Sequence, residues 1–366
     1  MRLLVATDAW HPQVNGVVRT YERLAHELKA LGVELAFLAP DQFRTVPCPT
    51  YPEVRLAMPG WRRVAQQFQS LKPDAVHIAT EGPIGWMVRR YCRTRAIPFT
   101  TSFHTRFPEY LAQRFAIPPT WSTAVMRRFH NAGQGVMVAT PSLARELESQ
   151  GFERVMPWTR GVDTQLFRPR PVRRFGDAPV FLYVGRIAAE KSLKGFLDLD
   201  LPGRKVLVGG GPQLAELKAR YPDALFTGKK TGEDLAECYA SADVFVFPSR
   251  TDTFGIVLLE AMASGLPIAA LPVTGPIDII TPGESGVLSE DLGAAARSAL
   301  KLDRARVRAK ALEFSWEGAA RLFLANIATT RVRDQKMPQY VGLLRISKAL
   351  RPNWHTQPAG KNDPDT

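Results

Sequence analysis

The segment Val244–Ala270 reads VFVFPSRTDTFGIVLLEAMASGLPIAA and holds the pattern that predicts the fold. It opens on a short apolar run that ends at Pro248. A polar loop follows, and then an apolar helical stretch that we expect to begin near Phe254. A second apolar run, LPIAA, closes the segment. Strands that are apolar on both faces are typical of parallel sheets, because helices cover both sides of such sheets. The segment therefore predicts a strand–helix–strand unit with buried strands.

The same alternation occurs in two successive series along the chain. The predicted strands of the first half are RLLVAT, VELAFLA, DAVHIA, PFTTSF and GVMVAT, and those of the second half are VFLYVG, KVLVGG, ALFTG, ADVFVFP and LPIAAL. Two such series predict an α/β protein with two Rossmann-like, doubly wound parallel-sheet domains facing a central cleft. We place these domains at residues 1–165 and 166–330, with a Pro- and Arg-rich linker near 160–178. The basic C-terminal tail, 331–366, is expected to be partly disordered.

Composition narrows the class of protein. The chain has 366 residues, of which 45% are hydrophobic, and this is enough for two packed cores. Its three cysteines (Cys48, Cys92 and Cys238) lie far apart and predict neither disulfides nor a zinc site. The sequence shows no secretory signal and no run of 18 apolar residues. We therefore expect a protein of the reducing cytoplasm.

The net charge of +13 is unevenly distributed. Residues 1–160 hold 20 Lys and Arg against 12 Asp and Glu, residues 161–330 hold 21 against 20, and the last 36 residues hold 7 against 3. The positive charge therefore belongs to the first half and the tail. Nucleic acid, an anionic membrane surface or an anionic substrate would each explain it.

Two carboxylates stand in the opening segment, Asp252 in the loop and Glu260 in the apolar helix. Carboxylates offset in this way can accept hydrogen bonds from two sets of hydroxyls on one elongated polar ligand. The helix start between them offers N–H groups that favour an anion such as a diphosphate; its residues are Thr253, Phe254, Gly255 and Ile256. The alternative is a capping Asp and a solvated Glu. A position among Ile, Val and Leu is a poor setting for a solvated acid.

The stretch PSRTDTFGIVLLEAMASGLPIAA resembles the signature of retaining glycosyltransferases of family 4, which have the GT-B fold. The resemblance covers roughly residues 1–330. It implies that Asp252 contacts hydroxyls of the donor sugar and that Glu260 holds the ribose of the nucleotide. The family more commonly has Glu at the first position, and Asp resembles a subset that includes mannosyltransferases and glycolipid synthases. Front-face transfer with retention is implied, in which the leaving diphosphate takes the acceptor proton.

Further donor contacts follow from residues at other strand ends. Arg186 and Lys191 come directly after VFLYVG, where cations suit a diphosphate, and the resemblance assigns them to the leaving group. It also implies diphosphate contacts from Gly16 and Val17 at the first helix, and a base pocket near Gly228 and Lys229. No metal ion or other cofactor is expected, because these cations and helix starts already supply positive charge. The Asp-Leu-Asp sequence at 198–200 is interpreted as a solvated loop.

His104 ends the strand PFTTSF. A lone His is more often structural than catalytic, but the family commonly has a His in this loop that touches the transferred sugar. The predicted catalytic residues are therefore Asp252, His104, Arg186 and Lys191.

The resemblance assigns acceptor binding to the N-terminal domain, whose predicted helices mix cations with aromatics, Phe68 among them. We expect an acceptor and membrane surface that includes Trp61, Arg62, Arg63, Arg106 and Tyr110. An ordinary helix layer over the sheet is the alternative. The expected partners are a nucleotide-sugar, a lipid acceptor such as diacylglycerol and an anionic membrane surface, and the expected location is peripheral, on the inner face of the membrane.

UDP-glucose or UDP-glucuronic acid is the expected donor, and GDP-mannose, with a lipid or soluble glycan acceptor, is the alternative. Two other classes of protein are alternatives. A nucleotide-sugar 2-epimerase would share the fold but should lack the acid pair. A nucleic-acid-binding protein would explain the charge, but the sequence has no recognised reading motif, so no nucleic-acid partner is expected.

Overall fold

A computed structural model describes residues 1–13, 15–48, 51–105 and 118–331. Its strands are β1 (Arg2–Ala6), β2 (Glu34–Leu38), β3 (Thr45–Cys48), β4 (Tyr51–Ala57), β5 (Ala75–Ile78), β6 (Thr100–Ser102), β7 (Val136–Val138), β8 (Val155–Pro157), β9 (Val180–Val184), β10 (Arg204–Val208), β11 (Leu225–Gly228), β12 (Val244–Phe247), β13 (Ile268–Ala270) and β14 (Gly286–Leu288). Its helices are α1 (Gly16–Ala30), α2 (Trp61–Leu71), α3 (Pro83–Thr94), α4 (Pro119–His130), α5 (Pro141–Ser149), α6 (Lys194–Leu197), α7 (Leu214–Arg220), α8 (Gly232–Ala240), α9 (Ile256–Ala263), α10 (Pro276–Ile279), α11 (Leu292–Ala299), α12 (Arg304–Ala311) and α13 (Trp316–Arg331).

In the described part of the chain, twelve strands form two parallel sheets of six strands each, and β3 and β4 form a separate hairpin. Their orders are β2-β1-β5-β6-β7-β8 and β11-β10-β9-β12-β13-β14. The chain reverses its direction of travel across the sheet at β1 in the first sheet and at β9 in the second. Ligands of doubly wound sheets bind beyond the carboxyl ends of the strands at such points. This topology confirms the predicted fold class and directs attention to the loops after β1 and β5, and after β9 and β12.

Both faces of each sheet are covered, as the apolar strands predict. In β1, Leu4 and Ala6 pack into one apolar cluster, whereas Leu3 and Val5 pack into another on the opposite face. Successive side chains of a strand point to opposite faces, so one strand serves two cores. The continuous hydrophobic pattern of the predicted strands has this cause.

Several short elements were absent from the sequence prediction. The edge strands β8 and β14 have three residues each, too few to show a period. The antiparallel hairpin of β3 and β4 contains Pro47 and Pro52, and proline weakens a strand signal because it cannot donate a hydrogen bond.

The last described helix, α13, returns to the N-terminal sheet. Its residues Ala320, Phe323 and Ile327 belong to the same buried cluster as Leu3 and Val5. The Trp158 Nε1–H donates to the Ala319 carbonyl over 3.2 Å. In sequence this helix lies within the predicted second domain, but its packing places it with the first sheet. The domain limits remain a prediction, and residues 332–366 lie outside the described residues.

Candidate functional site

The loops after β9 and β12 bring Lys191 and Asp252 together. The Lys191 Nζ donates to Asp252 Oδ1 over 2.6 Å, and each side chain is 21% exposed. Burial opposes ionisation of Asp252, but the charge and hydrogen bond of Lys191 outweigh it and hold the pKa below the ordinary 3.8. Arg186 lies in the same loop as Lys191, with its carbonyl accepting from the Tyr183 hydroxyl over 2.9 Å. Three of the four predicted catalytic residues thus lie at the switch point of the second sheet.

The second oxygen of Asp252, Oδ2, is buried together with the Ser249 Oγ. Ser249 is close enough to help lower the pKa of Asp252, but neither of these atoms forms a hydrogen bond of normal geometry within the described residues. Buried polar atoms of this kind usually have a partner in the functional complex. A ligand hydroxyl beside Asp252 would satisfy both atoms, because a hydroxyl can donate to the carboxylate and accept from the serine.

Glu260 is held from two sides. Its Oε2 accepts from the Tyr239 hydroxyl over 2.8 Å, and its Oε1 lies 3.3 Å from Nη1 of Arg19 on α1. Burial raises the pKa of Glu260 above the ordinary 4.5, an effect that Arg19 and Tyr239 only partly offset. Helix α9 begins at Ile256, two residues later than expected, so Glu260 lies in its second turn. Sequence reasoning missed both partners, since neither is near Glu260 in the chain.

His104 is fixed by two hydrogen bonds. Arg160 Nη2 lies 3.0 Å from its Nδ1, and the Tyr21 hydroxyl lies 3.1 Å from its Nε2. A guanidinium can only donate, so Nδ1 is the acceptor and Nε2 carries the proton; this tautomer is assigned from the network. Burial, and then the charge of Arg160, lower the pKa of His104 well below 6.5, so the ring is neutral. The direct contact of His104 with a sugar remains a prediction.

The tautomer of His104 sets the next bonds. Its Nε2–H donates to the Tyr21 oxygen, which leaves the Tyr21 hydroxyl proton for Nε2 of His77, 2.9 Å away. His77 Nδ1 then donates to Thr100 Oγ1 over 2.7 Å. Burial, and then Arg160, lower the pKa of His77 to about 3, so this ring is also neutral. The cation of this buried chain is Arg160, whose pKa is lowered by burial to about 10.

Side chains from the two halves of the molecule meet across the cleft. The Thr253 hydroxyl donates to the His104 carbonyl over 2.8 Å, and Thr140 Oγ1 donates to the Thr253 carbonyl over 3.4 Å. Nearby, the Ser142 N–H at the start of α5 donates to Asp278 Oδ1 over 2.9 Å. These bonds place the loop of Asp252 directly against the loop of His104.

The start of α1 differs in detail from the expected phosphate cradle. Gly16 is exposed and has open space where a Cβ would stand. The Val17 N–H, however, already donates to the Asn15 side chain over 3.0 Å, as does the N–H of Val18. This capping arrangement weighs against a direct phosphate contact from Val17.

The expected base pocket is formed by loops in close contact. Gly209 has a φ of +149°, and a Cβ there would lie 1.8 Å from the Gly185 carbonyl oxygen. A Cβ on Gly210 would lie 3.0 Å from Lys229 Cε. The loop of Gly209 and Gly210 therefore touches both the loop that begins at Gly185 and the segment of Gly228 and Lys229. The base pocket itself remains a prediction.

The helix start between the two acids is only partly available to a ligand. Phe254 is buried in the core of the second sheet, so only its backbone could contact a donor. Gly255 caps α9 with a φ of +84°, which favours glycine, and Ile256 is half-buried.

The predicted acceptor surface lies on α2 and its neighbours. Trp61 packs on Tyr91 with ring centroids 5.2 Å apart, while Arg62 and Arg63 are exposed. Phe68, which we expected on the surface, is buried. Met58 and Trp121 are exposed apolar side chains that the prediction did not name, at 64% and 69%. Arg106 and Tyr110 lie outside the described residues.

Within the residues that the structure describes, no group of three or more His, Cys, Asp and Glu side chains could hold a metal ion. Asp198 of the Asp-Leu-Asp sequence accepts from the Tyr221 hydroxyl over 2.6 Å. None of the helices found there is long and apolar enough to cross a bilayer.

Two family models match the chain. Residues 14–166 match the model "Glycosyltransferase Family 4", and residues 178–303 match "Glycosyl transferases group 1". The GDP-mannose-dependent alpha-mannosyltransferase of Mycobacterium tuberculosis is 32% identical over 317 residues, which cover 79% of this chain and 83% of that protein.

Two further relatives and one solved structure are similar. The sulfoquinovosyl transferase SQD2 of Arabidopsis thaliana is 30% identical, over 75% of this chain and 60% of the plant protein. The alpha-monoglucosyldiacylglycerol synthase of Streptococcus pneumoniae is 25% identical, over 74% of this chain and 71% of its own. The structure of sucrose-phosphate synthase from Thermosynechococcus elongatus superimposes with a TM-score of 0.74 at 20% identity, covering 90% of this chain and 99% of that one. The architecture is thus that of the GT-B fold.

Proposed function

The chain belongs to the family 4 glycosyltransferases, and from this premise we propose that it moves a hexose from a nucleotide-sugar to a lipid acceptor, with retention of configuration and without a metal ion. The observation that carries the proposal is the placement of Asp252 and Glu260. Each acid pairs with a cation, and the contact of Thr253 with His104 joins the two halves beside Asp252. Asp252 Oδ2 lacks a hydrogen bond of normal geometry and suits a sugar hydroxyl, and we assign Glu260, whose Oε1 faces Arg19, to a ribose.

In the proposed reaction, the bond between the anomeric carbon and the diphosphate oxygen breaks. The acceptor oxygen bonds to the same face of that carbon, and its proton passes to a diphosphate oxygen. Lys191 and Arg186 stabilise the negative charge that develops on the leaving group. Asp252 orients the sugar. The neutral ring of His104 belongs to the loop that contacts Thr253, and it does not take the proton of the acceptor. Positioning and electrostatic stabilisation supply the rate enhancement.

The relatives change the order of the two donor candidates. GDP-mannose, which the sequence alone favours only as the alternative, now ranks first because the 32% identical relative is named for it. UDP-glucose and UDP-glucuronic acid remain the second candidates, supported by the name of the glucosyldiacylglycerol synthase. That name also supports a diacylglycerol-based acceptor.

A membrane-bound acceptor fits the surface of the first half. Met58 and Trp121 are exposed there, and Arg62 and Arg63 supply positive charge. Exposed aromatics and cations together favour the surface of an anionic bilayer. We place the enzyme peripherally on such a surface, at the cytoplasmic face.

The donor experiment uses the purified full chain with anionic vesicles that contain diacylglycerol or phosphatidylinositol. Radiolabelled GDP-mannose, UDP-glucose and UDP-glucuronic acid are supplied in turn, with and without EDTA, and label in the organic phase is counted. We expect label from one donor, unaffected by EDTA and abolished in Glu260→Ala. Glu313→Ala, an exposed acid on the same half, is the control. Absence of lipid label from every donor would refute the lipid acceptor, and an inverted anomeric signal in the product's NMR spectrum would refute retention.

The membrane experiment is flotation with the same vesicles. The double variant Met58→Ser/Trp121→Ser should lose flotation, because it removes the exposed apolar anchors. Leu312→Ser, 53% exposed on the second half, is the matched control and should float like the wild type. Equal flotation of the double variant would contradict the proposed surface.

A further inference from the structure

Arg19 is a cation of the N-terminal half that reaches the acid of the C-terminal half. It lies in the first turn of α1, with its N–H bonded to the Asn15 carbonyl. Its Nη1 lies 3.3 Å from Glu260 Oε1, although 241 residues separate the two. The Glu260 side chain is 6% exposed and that of Arg19 is 33% exposed. The guanidinium therefore lies at the mouth of the pocket of Glu260.

This contact occupies the carboxylate that the proposed function assigns to the ribose. Glu260 Oε2 is already engaged by Tyr239, so Oε1 is the oxygen that faces the cleft cation. A ribose would bring neutral hydroxyl donors to the carboxylate, whereas the diphosphate beside it would bring negative charge. A cation that gives up a buried carboxylate at that moment needs another anion, or it loses a charge-assisted hydrogen bond.

We propose that Arg19 is a donor-binding residue that exchanges partners: it holds Glu260 in the free protein and moves to the donor's diphosphate when the ribose hydroxyls take its place. The inference rests on the proposed function and deepens it. The ligand class is a nucleoside diphosphate, recognised jointly by Glu260 at the ribose and by Arg19 at the phosphates.

The position of Arg19 allows the exchange without a backbone movement. It is about one helical turn from Gly16, which is exposed at the start of α1. An Arg side chain has several rotatable bonds and a planar fork of donors that suits phosphate as well as carboxylate. Lys191 stands in the corresponding relation to Asp252, so the free site keeps both acids neutralised by cations that a diphosphate would attract.

The same helix offers a matched control. Arg23, one turn further along α1, forms an ion pair with Asp163 in the linker region. Arg23 therefore connects α1 to the linker region but does not contact Glu260. Substitution of Arg23 tests the effect of losing an ion pair of α1 alone, whereas substitution of Arg19 also removes the proposed donor contact.

The experiment measures Kd for GDP and UDP by calorimetric titration of the full chain. The proteins are the wild type, Arg19→Gln, Arg19→Lys, Glu260→Gln, the double variant Arg19→Gln/Glu260→Gln, and Arg23→Gln, with thermal unfolding of each. We expect Arg19→Gln to weaken binding about tenfold, the size of one charge-assisted hydrogen bond. In the Glu260→Gln background the loss should be at least as large, because no pair between Arg19 and Glu260 has to break when the diphosphate binds. Arg19→Lys should lose less, and Arg23→Gln should bind like the wild type.

Three results would overturn the inference while leaving the function intact. They are unchanged or tighter binding in Arg19→Gln, an effect that disappears in the Glu260→Gln background, and an equal loss in Arg23→Gln. If Arg19→Gln does not fold, Arg19→Lys in the two backgrounds gives the same comparison. A wild type that binds neither GDP nor UDP would refute the donor site and the inference together.

Discussion

Lys191 Nζ lies 2.6 Å from Asp252 Oδ1, although 61 residues separate the two in the chain. The cation predicted to meet the diphosphate and the acid predicted to meet the sugar therefore hold each other in the free protein. Their pairing keeps Asp252 ionised in a largely buried place, while its Oδ2 lacks a hydrogen bond of normal geometry within the described residues. A donor that binds here must offer both partners something in exchange.

Asp252→Asn should lower the transfer rate about 100-fold, since it removes the charge that orients the sugar. The Kd for the nucleoside diphosphate should change little, because Glu260 and the cations remain. Initial rates at saturating donor, together with titration of GDP and UDP, check both parts. A variant that loses nucleotide affinity and transfer rate in parallel would contradict the assignment of Asp252 to the sugar.

Lys191→Gln should destabilise the fold in a pH-dependent way. The pKa of Asp252 lies below 3.8 in the folded protein, so its contribution to stability is present above the unfolded pKa and is lost as pH falls through the folded one. In the variant, burial is no longer offset, and ionised Asp252 is unpaired at neutral pH. The gap in unfolding free energy between the two proteins should be largest near neutrality and narrow below about pH 4. Denaturant unfolding at several pH values measures it, and a constant gap from pH 7 to pH 3 would count against the ion pair.

Arg160→Gln should change the titration of His104. Burial, and then the charge of Arg160, hold the pKa of that ring below 6.5, so loss of the charge should raise the pKa while burial keeps it below 6.5. On acidification, transfer activity of the variant should therefore fall at a higher pH than that of the wild type, because the ring gains its proton earlier. Imidazole ¹⁵N NMR should also show loss of the fixed Nε2–H tautomer. Arg154→Gln, which removes another cation that donates to carbonyls, should leave the His104 signals unchanged.

Gly209→Ala should destabilise the protein by about 3 kcal/mol or more, through steric overlap and backbone strain. The added Cβ would lie 1.8 Å from the Gly185 carbonyl oxygen, at a φ of +149°. Gly195→Ala is the control, because its Cβ would meet nothing within 4 Å. Denaturant unfolding should separate the two variants. Equal stabilities would show that the loops after β9 and β10 can move apart.

Local sequence patterns are enough to predict the two series of strands and helices and the acid pair. These signals are local: β1, β9 and β12 are continuous apolar runs, and Glu260 stands in an apolar helix where a solvated acid is improbable. Strands of three residues, such as β8 and β14, were not predicted, because the two-residue alternation of a strand cannot be recognised in so few positions. The prediction that Phe68 is exposed was wrong, because its helix packs this side chain against the first sheet.

The partners of the site residues depend on tertiary contacts. Arg19 meets Glu260, Arg160 meets His104 and Lys191 meets Asp252, each across 56 or more residues of chain. The packing of α13 against the first sheet is likewise a tertiary contact that no local pattern predicts. A buried charge or ring nitrogen requires a partner, and the sequence shows that requirement wherever a polar residue stands in an apolar run. Which of the many cations meets it depends on how the two sheets are brought together, and no local pattern records that arrangement.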